Sequence, residues 1–293
     1  MTRLCLLLTL ALQASAPVPA APGFEAGRAW NHLRELVSHG PRPAGSPALQ
    51  RDRDYIKTQL LAIGVPVVEQ RWDAATPAGK VHMVNLIATI PGKRAERLVI
   101  AGHYDTKRLP NFVGANDGGS SAAFLVEMAR VLRARTNALT MELLFLDGEE
   151  AVGAWQGTDH TYGSRHYVAE AKRSGTIGSL KALVLVDMIG DRDLRIMREL
   201  HSTPWLTDLI WTAAERQNAS SVFVRQARPI EDDHLEFLDA GVPAVDIIDL
   251  DYPAWHTAQD TLDKLSPSSL QTVGDVLLAA LPSIEARLSS APR

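Results

Sequence analysis

Residues 141–150 read MELLFLDGEE, an apolar run that ends in an acidic turn. Three more apolar runs lie next to side chains of metal-binding types: RLVIAGHYD at 97–105, LKALVLVDMIG at 180–190, and VPAVDII at 242–248, shortly before His256. Runs that are apolar on both faces are typical of buried strands in a sheet covered by helices. They predict an open, twisted, mostly parallel but mixed α/β sheet with functional groups beyond its strand ends.

Helical periodicity separates these strands. Apolar residues recur at helical spacing in five segments: 24–39, 119–135, 161–174, 204–218 and 267–286. Ser46 and Pro47 predict the start of a further helix, as its N-cap and first-turn residue. Alternating strands and helices indicate helices on both faces of the sheet.

Composition excludes several classes of function. The chain has 293 residues, 46% hydrophobic, with a formal net charge of −4 and no basic run, so we expect no nucleic-acid partner. Its single cysteine, Cys5, lies near the N-terminus. We therefore expect neither disulfides nor thiolate ligands in the folded domain. Nothing in the sequence demands more than a monomer.

The N-terminus has the pattern of an export signal. Arg3 precedes an apolar run at 4–12, and Ala14-Ser15-Ala16 has the small-x-small pattern of a cleavage site. The run is too short to span a bilayer, and a buried first helix is the alternative. We predict a signal peptide at 1–16, a Pro/Ala-rich lead-in at 17–23 and one catalytic domain at 24–290. The mature protein would be periplasmic or secreted, with no membrane attachment.

Five residues of metal-binding types lie near predicted strand ends or helix starts. They are His103, Asp117, Glu150, Asp187 and His256. Singly, each has a structural alternative: a histidine that caps a strand, an aspartate that caps a helix, an acidic turn in solvent. Together they predict a metal centre, with zinc favoured.

Neighbouring residues complete a candidate active site. Glu149 and Glu150 are adjacent at a strand end and point in different directions, so one can bind a metal while the other moves a proton. Trp155 and Trp255 are candidate pocket walls. Three further pairs of residues are placed by their positions in the sequence. We expect His103 and Asp105 to share one side of a strand, and Asp232 and Asp233 to cap a helix or reach the site. Asp249 and Asp251 are expected in a solvated loop.

Several long strings together resemble the zinc aminopeptidase superfamily, and within it the glutaminyl-peptide cyclotransferases, or glutaminyl cyclases. They are GHYDTK, FVGANDGGSSAAFLVEMAR, LLFLDGEEAVGAW, YGSRHY, LVDMIGD, IEDDHLEFLDAGVPAVDII and WHT. The resemblance runs from about Phe24 to the C-terminal helix. It departs at Gly118, where many cyclases have serine, and at Asp246, where the animal enzymes tend to have a histidine near the pocket.

The resemblance implies a role for each site residue. The implied zinc ligands are Asp117, Glu150 and His256. The implied acid/base is Glu149, with Asp187 and Asp232 as a carboxylate pair near the substrate. Trp155 and Trp255 would form the walls of the pocket. In two-metal aminopeptidases His103 and Asp187 would complete a second site, whereas the cyclases resemble one-zinc enzymes, so one zinc ion is favoured.

The implied reaction converts the N-terminal glutamine of a peptide or protein to pyroglutamate and releases ammonia. The main alternative is an exported aminopeptidase with two zinc ions, in which Glu149 activates water. The two tryptophans and the YGSRH and IEDDH strings favour the cyclase. A non-enzymatic zinc-binding protein is a third interpretation, and the presence of Glu149 argues against it.

Overall fold

A computed structural model describes residues 22–290 of the chain. Its eight strands, in chain order, are β1 (Val67–Thr76), β2 (Gly79–Ile90), β3 (Arg94–His103), β4 (Leu139–Leu146), β5 (Leu180–Asp187), β6 (Ile196–Glu199), β7 (Phe223–Arg228) and β8 (Ala244–Ile248). Six form the main sheet in the order β1-β2-β4-β3-β5-β8. β3 runs parallel to β4 and β5, and β5 to β8, whereas β1, β2 and β4 pair antiparallel. This is the predicted mixed, mostly parallel sheet.

Helices cover both faces of this sheet. In the described residues they are α1 (Ala26–Ser38), α2 (Pro47–Ala62), α3 (Gly119–Ala134), α4 (Tyr162–Arg173), α5 (Pro204–Arg216), α6 (His234–Asp239) and α7 (Pro267–Ser290). α1, α2, α3, α5 and α7 contribute to one buried cluster, and α4 and α6 to another. The predicted layers are confirmed.

Alternation along the central strands explains the two layers. Ile100 and Val184 pack into the cluster that includes α3, whereas their neighbours Val99 and Leu183 pack into the cluster that includes α4. Successive side chains of a strand point to opposite faces, so a strand covered on both sides must be apolar throughout. The continuous apolar runs of the sequence have this cause.

Two residues near helix starts were candidates for helix caps, Ser46 and Asp117. Ser46 caps α2 as predicted, since its side chain accepts a hydrogen bond from the Leu49 N–H at 3.1 Å, and Pro47 occupies the first turn. Asp117 is not a helix cap: Gly118 precedes α3, and no side chain caps that helix. Asp117 is therefore free for another role.

Two features differ from the predictions. β6 and β7, which form a small parallel sheet of their own, were not predicted. Asp249 was expected in a solvated loop, and this is wrong: it is buried and accepts hydrogen bonds from the N–H groups of Arg195 and Asp251 at 2.8 and 3.1 Å. Asp251 itself is exposed.

The predicted signal peptide at 1–16 and most of the lead-in at 17–23 lie outside the described residues, so the domain boundaries stay predictions. Within residues 22–290, each helix is too short or too polar to cross a lipid bilayer.

Candidate active site

The candidate site lies where four parallel strands end together. β3 ends at His103, β5 ends at Asp187, and the turn after β4 carries Glu149 and Glu150. His256 follows β8 after a loop. Because parallel strands present their carboxyl ends at one edge, residues far apart in sequence meet there. The five metal-binding residue types predicted from the sequence are all at this edge.

Asp117, Glu150 and His256 form the first candidate metal-binding set. The Nε2 atom of His256 lies 3.4 Å from Oδ2 of Asp117 and 3.2 Å from Oε1 of Glu150. Burial alone would lower the pKa of His256, but the neighbouring carboxylates of Asp117 and Glu150 raise it to about 9. For the carboxyl group of Glu150, burial has the opposite effect and raises the pKa, and the charge on Asp117 raises it further. Two carboxylates are thus held close together away from water.

His103, Asp117 and Asp187 form a second set that shares Asp117 with the first. The Nε2 atom of His103 lies 3.2 Å from Asp117 and 3.1 Å from Asp187. All three residues are buried. The predicted partnership of His103 with Asp105 is loose, at 3.6 Å between Nδ1 and Oδ1, and Asp105 instead accepts the N–H of Glu149 at 3.2 Å.

The first set fits a metal ion by its chemistry. Histidine nitrogens and carboxylate oxygens both bind zinc, and three protein ligands leave a catalytic zinc a fourth position for water or substrate. The buried Oδ2 of Asp117 has no hydrogen-bond donor among the described residues. Such a buried acceptor is costly unless something satisfies it. These residues therefore form a candidate metal centre.

Glu149 lies beside both sets but belongs to neither. Its Oε2 is 3.9 Å from Nδ1 of His103. Burial raises the pKa of Glu149 well above its ordinary value; His103 opposes the shift, and Glu150 and Asp232 add to it. A buried carboxyl group with a raised pKa is suited to accept a proton and return it. The solvated acidic turn considered from the sequence is excluded, since Glu149 and Glu150 are buried.

Asp232 and Asp233 have different surroundings. Asp232 is buried and lines the pocket, and burial followed by repulsion from Asp187 and Asp233 raises its pKa well above the ordinary value. Asp233 does not line the pocket, and its carboxylate accepts a hydrogen bond from Ser164 Oγ at 2.5 Å. Asp232 and Asp187 thus line the same pocket, and the carboxylate pair stays a prediction.

A pocket of about 520 Å³ opens onto these groups. Trp155 and Trp255 both line it. The ring of Trp255 stacks on His256 with 4.2 Å between centroids, and that of Trp155 stacks on His160 at 4.3 Å. The structure therefore brings both predicted wall residues to the pocket that contains Glu149.

Comparison with known proteins places this geometry in a family. Residues 85–281 match the model of peptidase family M28. The chain belongs to peptidase family M28. It is 30% identical to a bovine (Bos taurus) glutaminyl-peptide cyclotransferase-like protein over 292 residues, covering 87% of this chain and 74% of that protein.

Solved structures agree with this placement. The crystal structure of an Acidobacteriales bacterium glutaminyl cyclase is 40% identical, with a TM-score of 0.88, and covers 94% of this chain and 99% of that one. A leucine aminopeptidase precursor from Bacteroides thetaiotaomicron is 25% identical, with a TM-score of 0.82, covering 90% and 99%. The predicted resemblance to glutaminyl cyclases, and the prediction that the chain is an enzyme, are confirmed. The M28 fold alone does not separate the cyclase from the aminopeptidase.

Two aspartates that hold the site loops were missed from the sequence. Asp260 accepts hydrogen bonds from the N–H groups of Asn116 and Asp117 at 2.8 and 3.1 Å, and from the Tyr252 hydroxyl at 2.8 Å. It thereby fastens Asp117 to the loop that carries His256, whose φ of 53° is unusual for a residue other than glycine. An aspartate in a loop often accepts backbone N–H groups, but sequence does not say which ones.

Asp159 holds the backbone of the loop that carries Trp155. Its carboxylate accepts the N–H groups of Val152, Gly153 and Ala154 at 3.1, 2.7 and 2.9 Å. The backbone leading into Trp155 is therefore fixed by a side chain of the same loop. Trp155, which lines the pocket, therefore follows a restrained segment of backbone.

The two departures from the cyclase pattern have structural consequences. Gly118 has a φ of 79°, and a Cβ there would lie 2.4 Å from the Asp105 carbonyl oxygen, so this turn requires glycine. Asp246 does not line the pocket but is buried behind it, with Oδ2 3.8 Å from Nδ1 of His234. Burial, followed by the nearby Asp232, raises its pKa well above the ordinary value.

Glu199 anchors the segment that carries Asp232. Its buried carboxylate accepts hydrogen bonds from the N–H groups of His201, Ser202 and Ile230 at 2.8, 2.6 and 3.2 Å. Nε2 of His234 lies 3.1 Å from it. Burial alone would raise the pKa of Glu199, but the hydrogen bond with His234 and those from the backbone outweigh it and hold the pKa at about 2.

We expect Glu199→Gln to destabilise the protein in a pH-dependent way. The folded pKa is below the unfolded value, so the ionised carboxylate stabilises the fold above about pH 4.5. The stabilisation, about 3 kcal/mol, is lost as pH falls toward 2. Urea unfolding should show the full difference from wild type at pH 7 and roughly half of it at pH 3. Exposed Glu35→Gln is the control; a pH-independent difference would contradict this role for Glu199.

Proposed function

We propose that this protein is a zinc-dependent glutaminyl-peptide cyclotransferase, which converts the N-terminal glutamine of peptides or proteins to pyroglutamate and releases ammonia. The observation that carries the proposal is the pocket: it joins Glu149, a candidate metal set and two tryptophan walls in one space of about 520 Å³. The curated relative from Bos taurus and the solved Acidobacteriales structure, which carry cyclotransferase and cyclase names, support it.

Each residue has a role in this proposal. The planar indoles of Trp155 and Trp255 would bind the flat glutamine side chain between them, since aromatic faces favour such contacts. Asp232 and Asp187 would orient the α-amine by accepting its N–H groups. A metal held by Asp117, Glu150 and His256 would supply Lewis-acid polarisation of the γ-carbonyl.

Glu149 would carry the proton. The α-amine nitrogen bonds to the carbonyl carbon of the side-chain amide, Cδ, and the bond from that carbon to the amide nitrogen breaks. Glu149 accepts the proton that the amine loses and returns it to the departing nitrogen, which leaves as ammonia. Ring closure is intramolecular, so the protein mainly has to position the α-amine against the side-chain amide and transfer this proton.

Product analysis on a short peptide that begins with glutamine tests the proposal. We expect the peptide to lose the mass of one ammonia and to keep all its residues, and a chelator to abolish the reaction until zinc is added back. The same peptide with an acetylated N-terminus is the control, because it lacks the attacking amine. Release of free glutamine would establish the aminopeptidase instead. An unchanged peptide would contradict both enzymatic functions and favour the non-enzymatic zinc-binding protein.

The aminopeptidase is kept as the second candidate because of one observation. His103, Asp117 and Asp187 form a second possible metal set that shares Asp117 with the first. Two adjacent metals would suit activation of water. We favour one ion, held by the set that contains His256.

Export, with cleavage after Ala16, and a monomeric catalytic domain at 24–290 belong to the same proposal. The apolar run before Ala14-Ser15-Ala16 supports export.

A further inference from the structure

The pocket has a buried inner end and an exposed mouth. At the inner end Asp117, Glu149 and Asp232 are nearly inaccessible. Glu150 and Asp187 also line the pocket and are buried. Three less buried ionisable side chains line it as well: His256, which belongs to the first metal-binding set, Lys107 and Glu231. Lys107 is paired with Glu150, with its Nζ 3.1 Å from Oε2. Its charge is therefore already partnered.

Glu231 has a different partner. It is exposed, and its Oε2 accepts a hydrogen bond from the neutral Nε1–H of Trp155 at 3.3 Å. Among residues 22–290, no cationic nitrogen lies within 4.0 Å of its carboxylate. Trp155 is itself held by the stacked ring of His160 and by a loop tied to Asp159. A negative charge is thus fixed at the mouth without being neutralised.

Of the described basic side chains of this wall, neither His160 nor Arg165 forms an ion pair with Glu231, and burial followed by the charge of Arg165 lowers the pKa of His160. Arg165 donates to the carbonyl oxygens of Thr158 and His160 and lies 4.0 Å from Glu236. It does not line the pocket. Asp232, which follows Glu231, is a buried acid and brings no positive charge to the mouth. A substrate that enters the mouth therefore meets an uncompensated carboxylate.

We infer that Glu231 gives the enzyme a preference for substrates with lysine or arginine directly after the N-terminal glutamine. The inference rests on the proposed function. If the glutamine side chain fills the inner end, the next residue lies at the mouth beside the carboxylate of Glu231. A basic side chain there gains Coulomb attraction in partly exposed surroundings, and an acidic one is repelled.

The test compares three peptides that differ only at the second position: Gln-Arg, Gln-Ala and Gln-Glu. For wild type at low ionic strength we expect kcat/KM to favour Gln-Arg over Gln-Glu by about two- to fivefold, the range of exposed ion pairs. The ratio should shrink as salt is added, since exposed charges are screened.

Variants assign the effect to one side chain. Glu231→Gln keeps an oxygen that can accept the Trp155 N–H but removes the charge, so the ratio should fall to about one. Glu231→Lys should invert it. Glu215→Gln, an exposed acid on α5 paired with Arg225, should keep the wild-type ratio.

The outcomes separate the two levels of inference. Cyclisation of all three peptides with a ratio that Glu231→Gln leaves unchanged would overturn the role of Glu231 and leave the cyclase intact. Failure to cyclise any of them would overturn the proposed function, and this preference with it.

Discussion

Glu149→Gln should lower kcat by about two to four orders of magnitude while metal content stays at the wild-type level. The glutamine side chain has nearly the same shape but cannot accept and return a proton at neutral pH. Glu149 is buried among like charges, with Glu150 and Asp232 both raising its pKa, so removing its charge should not unfold the protein. Steady-state kinetics and metal analysis of one preparation would check both halves of the expectation.

The adjacent Glu150→Gln is the matched control. Glu150 lies in the metal set, with Oε1 3.2 Å from Nε2 of His256. We expect this variant to lose metal as well as activity. If Glu149→Gln remained fully active, the assignment of the proton to Glu149 would be wrong.

His256→Gln should abolish metal binding, whereas His103→Gln should retain one equivalent. The reason is that His256 belongs to the set with Glu150, and His103 belongs to the set with Asp187. Glutamine in place of either histidine keeps a hydrogen-bond donor for the shared Asp117, so the pair is matched. Metal per chain, measured after dialysis, should be one for wild type, none for His256→Gln and one for His103→Gln.

A different number of metal ions per chain would distinguish the two candidate functions. Two equivalents in wild type and one in each variant would establish a two-metal site and favour the aminopeptidase. Thermal unfolding of both variants shows whether the loss of metal comes from the ligand or from a disrupted fold.

The convergence of the site residues could be predicted because it follows from the sheet. The runs that end at His103, Leu146 and Asp187 are apolar on both faces, which indicates parallel strands, and parallel strands end at one edge. Knowledge of the exact pairing was not needed. The placement of Ser46 was predictable for a similar reason, since its hydrogen bond to Leu49 is local.

The remaining features depend on distant partners. β6 has four residues and β7 is largely exposed, so neither carries a strong periodic signal. Asp249 and Asp260 resemble any polar loop residue in sequence, yet both are buried and accept backbone N–H groups from far along the chain. An aspartate that fastens two loops differs from a solvated one only in what surrounds it after folding.

The dispersed origin of the ligands sets the order of assembly. Asp117 stands at the start of α3, Glu150 follows β4, and His256 lies beyond β8. The first set spans residues 117 to 256, so a short peptide from this region does not contain it, and we expect the unfolded region to have little affinity for the ion. If the proposed site binds a metal ion, the ion would arrive after the sheet has formed, and by mass action it would then hold the finished fold against unfolding. Maturation of this protein would end with the uptake of its ion.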